Sequence, residues 1–307
     1  MLTASVIADA VRWACWLDVA AAKPGNVSVA SPGHGMRADD FLASADAIAA
    51  PLSEPGRKVG ERIAAAVAAT ASRVGMNTNL GIVLLAAPLA HAALTARPGE
   101  TLERATGRVL AGLDSDDATQ AFRAIVQARP AGLGAAARLD VRGPAEASLL
   151  EAMREAAHRD TIARQYAHGF GDVFRFGVRR FLAAFERHGS AEQAAVSCFL
   201  AWLARFPDTH VARKHGIEFA RQVSDEAVSF EAAWTAADDV AAARLVETWD
   251  ASLKARGINP GTSADLTVAS LLAARLQGQF TEQFSERDAV VVPLRKGTWM
   301  HGTGPRE

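Results

Sequence analysis

The amino-acid sequence predicts an all-α protein, a single-domain multi-helix bundle with a short C-terminal tail or β-hairpin. Apolar residues recur at helical spacing along almost the whole chain. Of the 307 residues, 50% are hydrophobic, and many of these are Ala, the residue with the highest helix propensity. The chain has one Tyr and few β-branched runs. Because no linker or repeat divides it, we expect one helical domain over residues 1–278 and a C-terminal extension over residues 279–307.

Helix boundaries follow from the apolar spacing and from Gly and Pro stop signals. The first helix should end at Pro24-Gly25, and the third should end at Gly75. In chain order, helices are predicted over residues 3–22, from about 39, and over 57–74, 81–94, 101–112, 115–128, 145–158, 160–187, 191–205, 210–233, 237–256 and 263–278.

In three other stretches, features besides helical spacing decide the predicted structure. The apolar run 81–94 could be a buried strand or a buried helix; its length and Ala content favour a helix, which Pro88 should kink or break. Residues 129–144 are rich in Gly and Pro and predict the longest internal loop. Residues 289–294 are typical of a short strand, which Lys296-Gly297 could turn back into a hairpin.

Composition and charge exclude several classes of protein. The net charge is −1, and the basic residues are interleaved with acidic ones, which argues against a nucleic-acid partner. No apolar run reaches 18 residues without interruption, so we expect no membrane span. The N-terminus lacks the basic region of a signal peptide. Cys15 and Cys198 lie in apolar helical stretches, where buried, unreactive thiols are expected. The expected location is the cytoplasm.

Four polar segments between predicted helices are the candidate functional positions, because loops and helix ends carry most binding residues. The first, the KPG segment (residues 23–36), offers Lys23, Asn26 and Ser28 beside a Gly-rich loop whose N–H groups could approach an anion. An ordinary Pro-Gly turn with a solvated Lys is the alternative explanation.

The second, the NTN segment (residues 77–81), contains Asn77, Thr78 and Asn79. Their short polar side chains could bind ribose hydroxyls or metal-bound water. They could equally cap the helix that follows, because Asn and Thr are common N-cap residues.

The third, the DTH segment (residues 208–216), contains Asp208, His210, Arg213 and Lys214. A carboxylate can hold Mg²⁺, and Arg and Lys neutralise phosphates. A capped helix with exposed basic residues would also explain it, but five reactive residue types within nine positions are unusual.

The fourth, the NPG segment (residues 259–266), contains Asn259, Ser263 and Asp265. Thr262 or Ser263 is a natural N-cap, and an acidic residue suits the first helical turn, so a structural role alone could explain these residues. The chain has no Walker loop, Rossmann fingerprint or HExxH zinc motif.

Together and in this order, the four segments resemble the ATP:dephospho-CoA triphosphoribosyltransferase family, also called triphosphoribosyl-dephospho-CoA synthases. The matching strings are KPGNVS at 23–28, GMNTNLG at 75–81, DTHVARKHG at 208–216 and NPGTSADL at 259–266. The resemblance spans about residues 10–278, and the last string is the most specific. The chain departs from the family pattern at Asn79-Leu80, where familiar members carry His and a basic residue.

The resemblance implies an all-α catalytic domain over residues 1–278 and a specific reaction. A hydroxyl of 3′-dephospho-CoA, or of a related acceptor, attacks C1′ of the ATP ribose, and adenine leaves while the triphosphate stays attached. A triphosphate carries about four negative charges, so the site needs cations and Mg²⁺. The transfer also builds positive charge at C1′ and requires the attacking hydroxyl to lose its proton.

The segments supply candidates for each of these tasks. Asp208 and Asp265 are the expected catalytic base or Mg²⁺ ligands. The expected substrate- and phosphate-binding residues are Lys23, Asn26, Ser28, Asn77, Thr78, Asn79, His210, Arg213, Lys214, Asn259 and Ser263.

Two other functions stay open at this point. One is an all-α Mg²⁺-dependent hydrolase of nucleotides or ADP-ribose-like conjugates, which would attack the same carbon with water. The other is a non-enzymatic helical binding protein, in which the four segments would lie apart as independent caps. The transferase requires that they meet. Its partners would be ATP and the acceptor, and a homodimer is also left open.

Overall fold

The computed structural model describes residues 2–278, and the predicted hairpin lies outside them. The first seven α-helices of the described chain are α1 (Ala4–Ala20), α2 (Ala38–Ser53), α3 (Val59–Val74), α4 (Leu80–Thr95), α5 (Leu102–Ala111), α6 (Ser115–Ala128) and α7 (Leu149–Ala156). The next seven are α8 (Thr161–Ala167), α9 (Val178–His188), α10 (Ala191–Arg205), α11 (Thr209–His215), α12 (Ile217–Ala236), α13 (Asp239–Ala255) and α14 (Gly261–Leu276). A π-helical turn, Val173–Gly177, separates α8 from α9. No strand occurs in residues 2–278, so the all-α prediction is confirmed.

The last helix, α14, is the centre of the bundle. It packs against α1, α4 and α10, and also against α9 and the π-helical turn. Apart from Asp265 and Arg275, its residues are apolar or small on all sides, and nearly all of them are buried. A helix that is hydrophobic all round belongs in a core. The N-terminal end of α14 therefore lies inside the molecule, and the segments that contact it are brought together there.

Two predicted helices are each divided in the structure. The predicted helix 160–187 ends after Ala167, because Gly169 and Phe170 both adopt left-handed backbone angles, with φ of 64° and 60°. The predicted helix 210–233 is interrupted at Gly216, whose φ is 91°. A left-handed residue ends an α-helix because it cannot continue the right-handed turn.

Pro88 was expected to kink or break its helix, and the expectation of a break is wrong. Helix α4 continues through Pro88 to Thr95. Proline has no N–H to donate to the carbonyl four residues earlier, which is that of Leu84. The Tyr166 hydroxyl donates to this carbonyl at 2.6 Å. The buried acceptor is therefore satisfied from α8 instead of from its own helix.

The predicted helix 145–158 is shorter than expected. Ser148 caps α7, accepting from Glu151 N at 3.3 Å while the Glu151 carboxylate accepts from Ser148 N at 2.9 Å. This reciprocal cap fixes the helix start at Leu149. Residues 129–144 form the predicted loop.

No helix in the described part of the chain has the length and apolar character needed to cross a membrane.

Candidate active site

The KPG and NPG segments contact each other directly. Asn26 Nδ2 donates to Asn259 Oδ1 at 2.9 Å, joining residues 233 positions apart. Gly25 has a φ of 78°, and a Cβ there would lie 2.9 Å from Pro260 Cδ. The Pro-Gly turn is therefore one that only glycine fits, because of both its backbone angle and its close contact with the NPG segment.

Asp250 of α13 holds the KPG segment in this shape. Its carboxylate accepts from Gly25 N at 2.8 Å and from Ser31 Oγ at 2.6 Å. Lys254 Nζ lies 2.9 Å from the same carboxylate and donates to Ser31 O at 3.0 Å. Ser28 is buried, and its main-chain N–H donates to the Ser31 carbonyl at 3.0 Å.

The DTH and NPG segments are joined by Asp208. One carboxylate oxygen accepts from His210 N and Val211 N at 2.9 and 3.0 Å, capping α11. The other accepts from Ser263 N and Ser263 Oγ at 2.7 and 2.8 Å. Burial raises the pKa of Asp208, and these hydrogen bonds oppose the shift. With four donors on its two oxygens, the carboxylate has no remaining lone pair in the usual directions.

The NTN segment reaches the NPG segment through Gly81. A Cβ on Gly81 would lie 2.0 Å from Asp265 Oδ2, so glycine alone allows the carboxylate to lie against the start of α4. Asn77 Oδ1 accepts from Leu80 N at 3.1 Å, which confirms its capping role. Thr78 Oγ1 lies 2.6 Å from Ser44 Oγ on α2.

Asn79 is buried, and only one of the two polar atoms of its side chain has a hydrogen-bond partner in the described chain. Its Oδ1 accepts from Thr70 Oγ1 at 3.1 Å. Its Nδ2 has no hydrogen-bond acceptor among the residues described. A buried amide donor without a partner is costly, and such groups are often completed by a bound molecule or water.

All four segments thus meet around the first turn of α14, and we call this assembly the polar cluster. Asp265 is its central acid. No hydrogen bond or ion pair from residues 2–278 reaches this carboxylate. Burial raises its pKa well above the ordinary value, and the charges of Asp18 and Asp208 raise it further, while Arg213 lowers it. This carboxylate is the free acid of the cluster, ready to accept a proton or a cation.

Lys23 does not face solvent. Its side chain is fully buried, with Nζ 3.0 Å from Asp18 Oδ1 and also donating to the Asp18 carbonyl. Most of its charge is therefore balanced within the protein. Phosphate binding by Lys23 stays a prediction, and it would require a phosphate to compete with Asp18.

The basic residues of the DTH segment differ in availability. Arg213 Nη1 pairs with Asp160 Oδ2 at 2.8 Å, whereas Lys214 is exposed. Desolvation, and then the charges of Arg213 and Lys214, lower the pKa of His210 to about 4. At neutral pH His210 is therefore an uncharged imidazole, able to form hydrogen bonds to a substrate but not to neutralise phosphate charge.

Sequence reasoning missed three acidic residues that build the cluster: Asp18, Asp160 and Asp250. Each lies on or at the start of a helix, outside the four polar segments. In the sequence, an acid on an amphipathic helix looks like an ordinary solvated residue. Only its packing against a distant loop distinguishes it, so no local signal could have identified these three.

Comparison with known proteins agrees with the geometry. The family model described as ATP:dephospho-CoA triphosphoribosyl transferase matches residues 4–284. The crystal structure of a candidate triphosphoribosyl-dephospho-CoA synthase from Archaeoglobus fulgidus is 26% identical, with a TM-score of 0.62, over 78% of this chain and 99% of that one. No curated protein is similar enough to count as a match.

The fold and the comparisons define an all-α transferase. The chain belongs to the ATP:dephospho-CoA triphosphoribosyl transferase family, whose activity moves the triphosphoribosyl group of ATP to dephospho-CoA. The family set out from the sequence is confirmed. The non-enzymatic alternative is set aside, because it required the four segments to lie apart, and the hydrolase alternative is set aside by the family.

Proposed function

We propose that the transfer takes place at the polar cluster and that Asp265 takes the proton from the attacking hydroxyl. The observation that carries this assignment is that Asp265 is the one acid of the cluster without a hydrogen-bond or ion-pair partner in residues 2–278. Asp208 is also an acid of the cluster and is more buried than Asp265, but its oxygens already accept four hydrogen bonds. Asp208 therefore acts as the bridge between α11 and α14.

The proton balance of the reaction favours such a base. The oxygen of the acceptor hydroxyl forms a bond to C1′ of the ATP ribose as the bond from C1′ to adenine breaks. The hydroxyl proton passes to Asp265, and adenine leaves with the bonding electron pair and takes up a proton. A carboxylate whose pKa is raised holds that proton more strongly than an ordinary aspartate, which makes it a better base near neutral pH.

The acids of the cluster also suit the charge that develops at C1′. Glycosyl transfer passes through a state with positive charge on the sugar ring. The charge of Asp18 raises the pKa of Asp265, and both acids raise the pKa of the nearby Cys15 thiol, so a negative field already exists at this position. A positive centre placed there would relieve the repulsion between the two acids, and this interaction is strongest in the transition state.

The polar amides and the DTH cations complete the proposed site. Asn26, Asn259 and Asn79 offer amide groups to ribose hydroxyls, and the Nδ2 atom of Asn79 is unpaired in residues 2–278. Arg213 and Lys214 are assigned to the phosphates. Lys214 is exposed, and Arg213 Nε is buried without an acceptor within the described chain.

The residues present also fit a magnesium ion that arrives with ATP. In the described chain no three His, Cys, Asp or Glu side chains form a group that could hold a metal ion. Mg²⁺, however, is commonly held by one or two carboxylates together with substrate phosphates. The unpartnered Asp265 would be the ligand from this chain, with Asp208 available only if a hydrogen bond is released. When bound, Mg²⁺ would neutralise charge on the triphosphate.

One assay tests the proposal. The full chain is incubated with ATP, Mg²⁺ and dephospho-CoA, and mass spectrometry follows adenine and the coupled product. We expect both to form in equal amounts, and neither to form when the acceptor is omitted. Adenine release without acceptor would mean hydrolysis and would contradict the proposal, as would the absence of product.

The Asp265→Asn variant separates the two roles of this carboxylate. If Asp265 is the base, the variant loses kcat while the Mg²⁺ concentration for half-maximal rate is unchanged. If it is the metal ligand, that concentration rises and added Mg²⁺ restores part of the rate. A cytoplasmic location and a homodimer also stay predictions for this chain.

A further inference from the structure

A basic pocket of about 390 Å³ lies where α8, the π-helical turn and the end of α10 come together. It is lined by three arginines, Arg164, Arg175 and Arg205, together with His168, Asp172 and Phe176. The polar cluster itself consists mostly of buried side chains. The pocket therefore offers an open volume that the buried side chains of the cluster do not.

Two arginines of the pocket lie close in sequence to residues of the polar cluster. Arg164 follows Asp160 by one turn of α8, and Asp160 pairs with Arg213 of the DTH segment. Arg205 ends α10, three residues before Asp208.

The backbone around the pocket is irregular in a way that fixes its shape. Phe170 has a φ of 60° and is fully buried. The π-helical turn follows it and carries Arg175 and Phe176. Gly177 ends this turn, and a Cβ there would lie 2.0 Å from Ser270 Oγ. Left-handed non-glycine residues and π-helical turns are both strained or rare, and they concentrate at functional sites.

The arginines of the pocket keep their outer nitrogens unpaired. Arg164 uses its Nε to bind Asp172 at 3.1 Å, and Arg175 uses its Nε to bind Glu103 at 2.8 Å. Their Nη atoms make no hydrogen bond within residues 2–278. The guanidinium carbon of Arg205 lies over the Phe176 ring at 4.6 Å and over the Phe206 ring at 5.5 Å, and no acid of the described chain pairs with it.

Such a set of guanidinium groups suits phosphate oxygens. Arginine presents a planar fork of N–H donors that matches two oxygens of one phosphate, and aromatic stacking holds the fork without using its donors. Two carboxylates against three arginines leave net positive charge. A carboxylate ligand would satisfy one fork, whereas a chain of phosphates could meet all three.

We propose that this basic pocket binds the polyphosphate chain of a substrate, either the triphosphate of ATP or the diphosphate of dephospho-CoA. The inference rests on the proposed function and deepens it, because both substrates carry such a chain and the reacting ribose must sit at the neighbouring polar cluster. The pocket would fix the position of that ribose by holding its phosphates.

The first test measures binding of inorganic tripolyphosphate to the full chain by isothermal titration calorimetry. Arg205→Gln removes one unpaired guanidinium and should weaken binding about 10- to 100-fold, the range expected for a lost hydrogen bond to a charged group. Arg179→Gln on α9 is the matched control, because it removes the same charge from an exposed position outside the pocket and should change the affinity less than about 2-fold. Arg205→Lys keeps the charge and should lie between them.

Steady-state kinetics then identify the substrate. If the pocket holds the triphosphate, Arg205→Gln and Arg164→Gln raise KM for ATP; if it holds the diphosphate, they raise KM for dephospho-CoA. Circular dichroism and Tm check that each variant is folded. If Arg205→Gln and Arg164→Gln are folded and bind tripolyphosphate with unchanged affinity, the proposal that this pocket binds polyphosphate is wrong.

The two proposals fail separately. If the parent chain forms product but Arg205→Gln binds tripolyphosphate as tightly as the parent does, the transferase assignment stands and the pocket proposal is rejected. Arg205-dependent binding without any product would do the reverse.

Discussion

Asp208 and Asp265 lie in the same cluster, yet their surroundings give them different tasks. Asp208 accepts hydrogen bonds from both α11 and α14, and its removal would leave those buried donors without partners. Asp265 has none to lose; it lies against the start of α4, and the charges that act on it come from acids and from Arg213. Both looked alike in the sequence, where each is simply an acid in a polar segment.

The first prediction concerns Asp265→Asn. We expect kcat to fall by about 10²–10⁴, the usual contribution of a general base. Ionising Asp265 in the folded protein costs free energy, because its pKa lies above that of an ordinary aspartate. The cost grows as the pH rises from 3.8, the ordinary value, through the raised one. Asn cannot ionise, so the variant should have a higher Tm than the parent at pH 7–8.

The pH dependence of Tm distinguishes the loss of this ionisation cost from a general change in packing. The Tm difference should shrink as the pH is lowered toward 3.8. Asp225→Asn, on the exposed face of α12, is the control and should change neither kcat nor Tm appreciably. A Tm lowered by Asp265→Asn across the whole pH range would contradict the view that this acid is unpaired.

The second prediction uses the contact between Gly81 and Asp265. In Gly81→Ala the new Cβ would lie 2.0 Å from Asp265 Oδ2 and 2.8 Å from Ile162 Cδ1, so the carboxylate must move. We expect activity to fall at least about tenfold, since a misplaced catalytic group loses much of its rate advantage.

Gly107→Ala on α5 is the matched control. No atom lies within 4 Å of a Cβ placed there, so helix propensity should dominate and stabilise the protein by about 0.5–1 kcal/mol with full activity. Urea unfolding and initial rates measure both variants. Full activity in Gly81→Ala would show that the position of Asp265 is not critical.

For individual residues, the sequence predicted which segments meet but not what each side chain does. Asn77 is a cap, and Lys23 is a buried ion-pair partner. Capping was an alternative considered for the NTN segment, whereas the alternative for Lys23 was a solvated side chain, so its buried ion pair was not predicted. The choice depends on burial, and burial is set by helices far away in the chain. Asp250, which shapes the KPG segment, lies more than 200 residues from it.

Among the elements, α4 and α8 show how a proline is accommodated in a buried helix. Pro88 leaves the Leu84 carbonyl without its helical donor, and the Tyr166 hydroxyl takes that place. The single tyrosine of the chain is therefore a hydrogen-bond donor to a helix interior. Burial raises the pKa of its hydroxyl, which favours the protonated form that donates this hydrogen bond.

The third prediction is that Tyr166→Phe and Pro88→Ala are coupled. Tyr166→Phe alone leaves a buried carbonyl unpaired and should lower the free energy of unfolding by about 1–3 kcal/mol. Pro88→Ala restores an N–H that can donate to Leu84 within α4. In that background, Tyr166→Phe should cost about 1 kcal/mol less.

Urea unfolding of the four proteins in this cycle measures the coupling. An equal cost of Tyr166→Phe in both backgrounds would mean that the hydroxyl stabilises the protein through something other than the Leu84 carbonyl. Tyr166 also contacts the Phe170 ring, with centroids 5.5 Å apart, and that contact is kept by Phe.

Periodicity predicted where helices exist better than where they stop. The apolar spacing continues through Phe170 and Gly216, so single long helices were the natural interpretation. Phe170 is a bulky residue in a left-handed conformation, which propensity does not favour. Its buried side chain holds it there, and this tertiary contact outweighs the local preference. Capping sequences such as Ser148 to Glu151 carry a local signal, which the longer prediction overlooked.

For the whole molecule, stability is expected to be uneven. Helix α14 is enclosed on all sides, whereas α13 packs mainly against α12, with the Phe230 and Trp249 rings stacked at 4.4 Å. Near the start of α13, Val240 and Ala241 are exposed, Val240 by 66%. Only the last turns of α13, at Asp250 and Lys254, hold the KPG segment.

The fourth prediction follows from this contrast. In native-state hydrogen exchange, amides of residues 241–246 should exchange at least about 100-fold faster than those of residues 265–272 in α14, because they can open without disturbing the core. Amides near Leu253, which is fully buried, should be slower than those in the first half of α13. Uniform protection along α13 would contradict this gradient.

The hydrogen bond between Asn26 and Asn259 has a consequence for biosynthesis. The two residues are 233 positions apart, and ribosomes add about 5–20 residues per second. The N-terminal part of the site must therefore wait roughly 10–50 s for its counterpart to be made. Until then the KPG turn lacks its partner and the apolar surfaces that cover α14 are open. We therefore expect the nascent chain to expose apolar surface until the NPG segment has been made, and such surface is prone to aggregation.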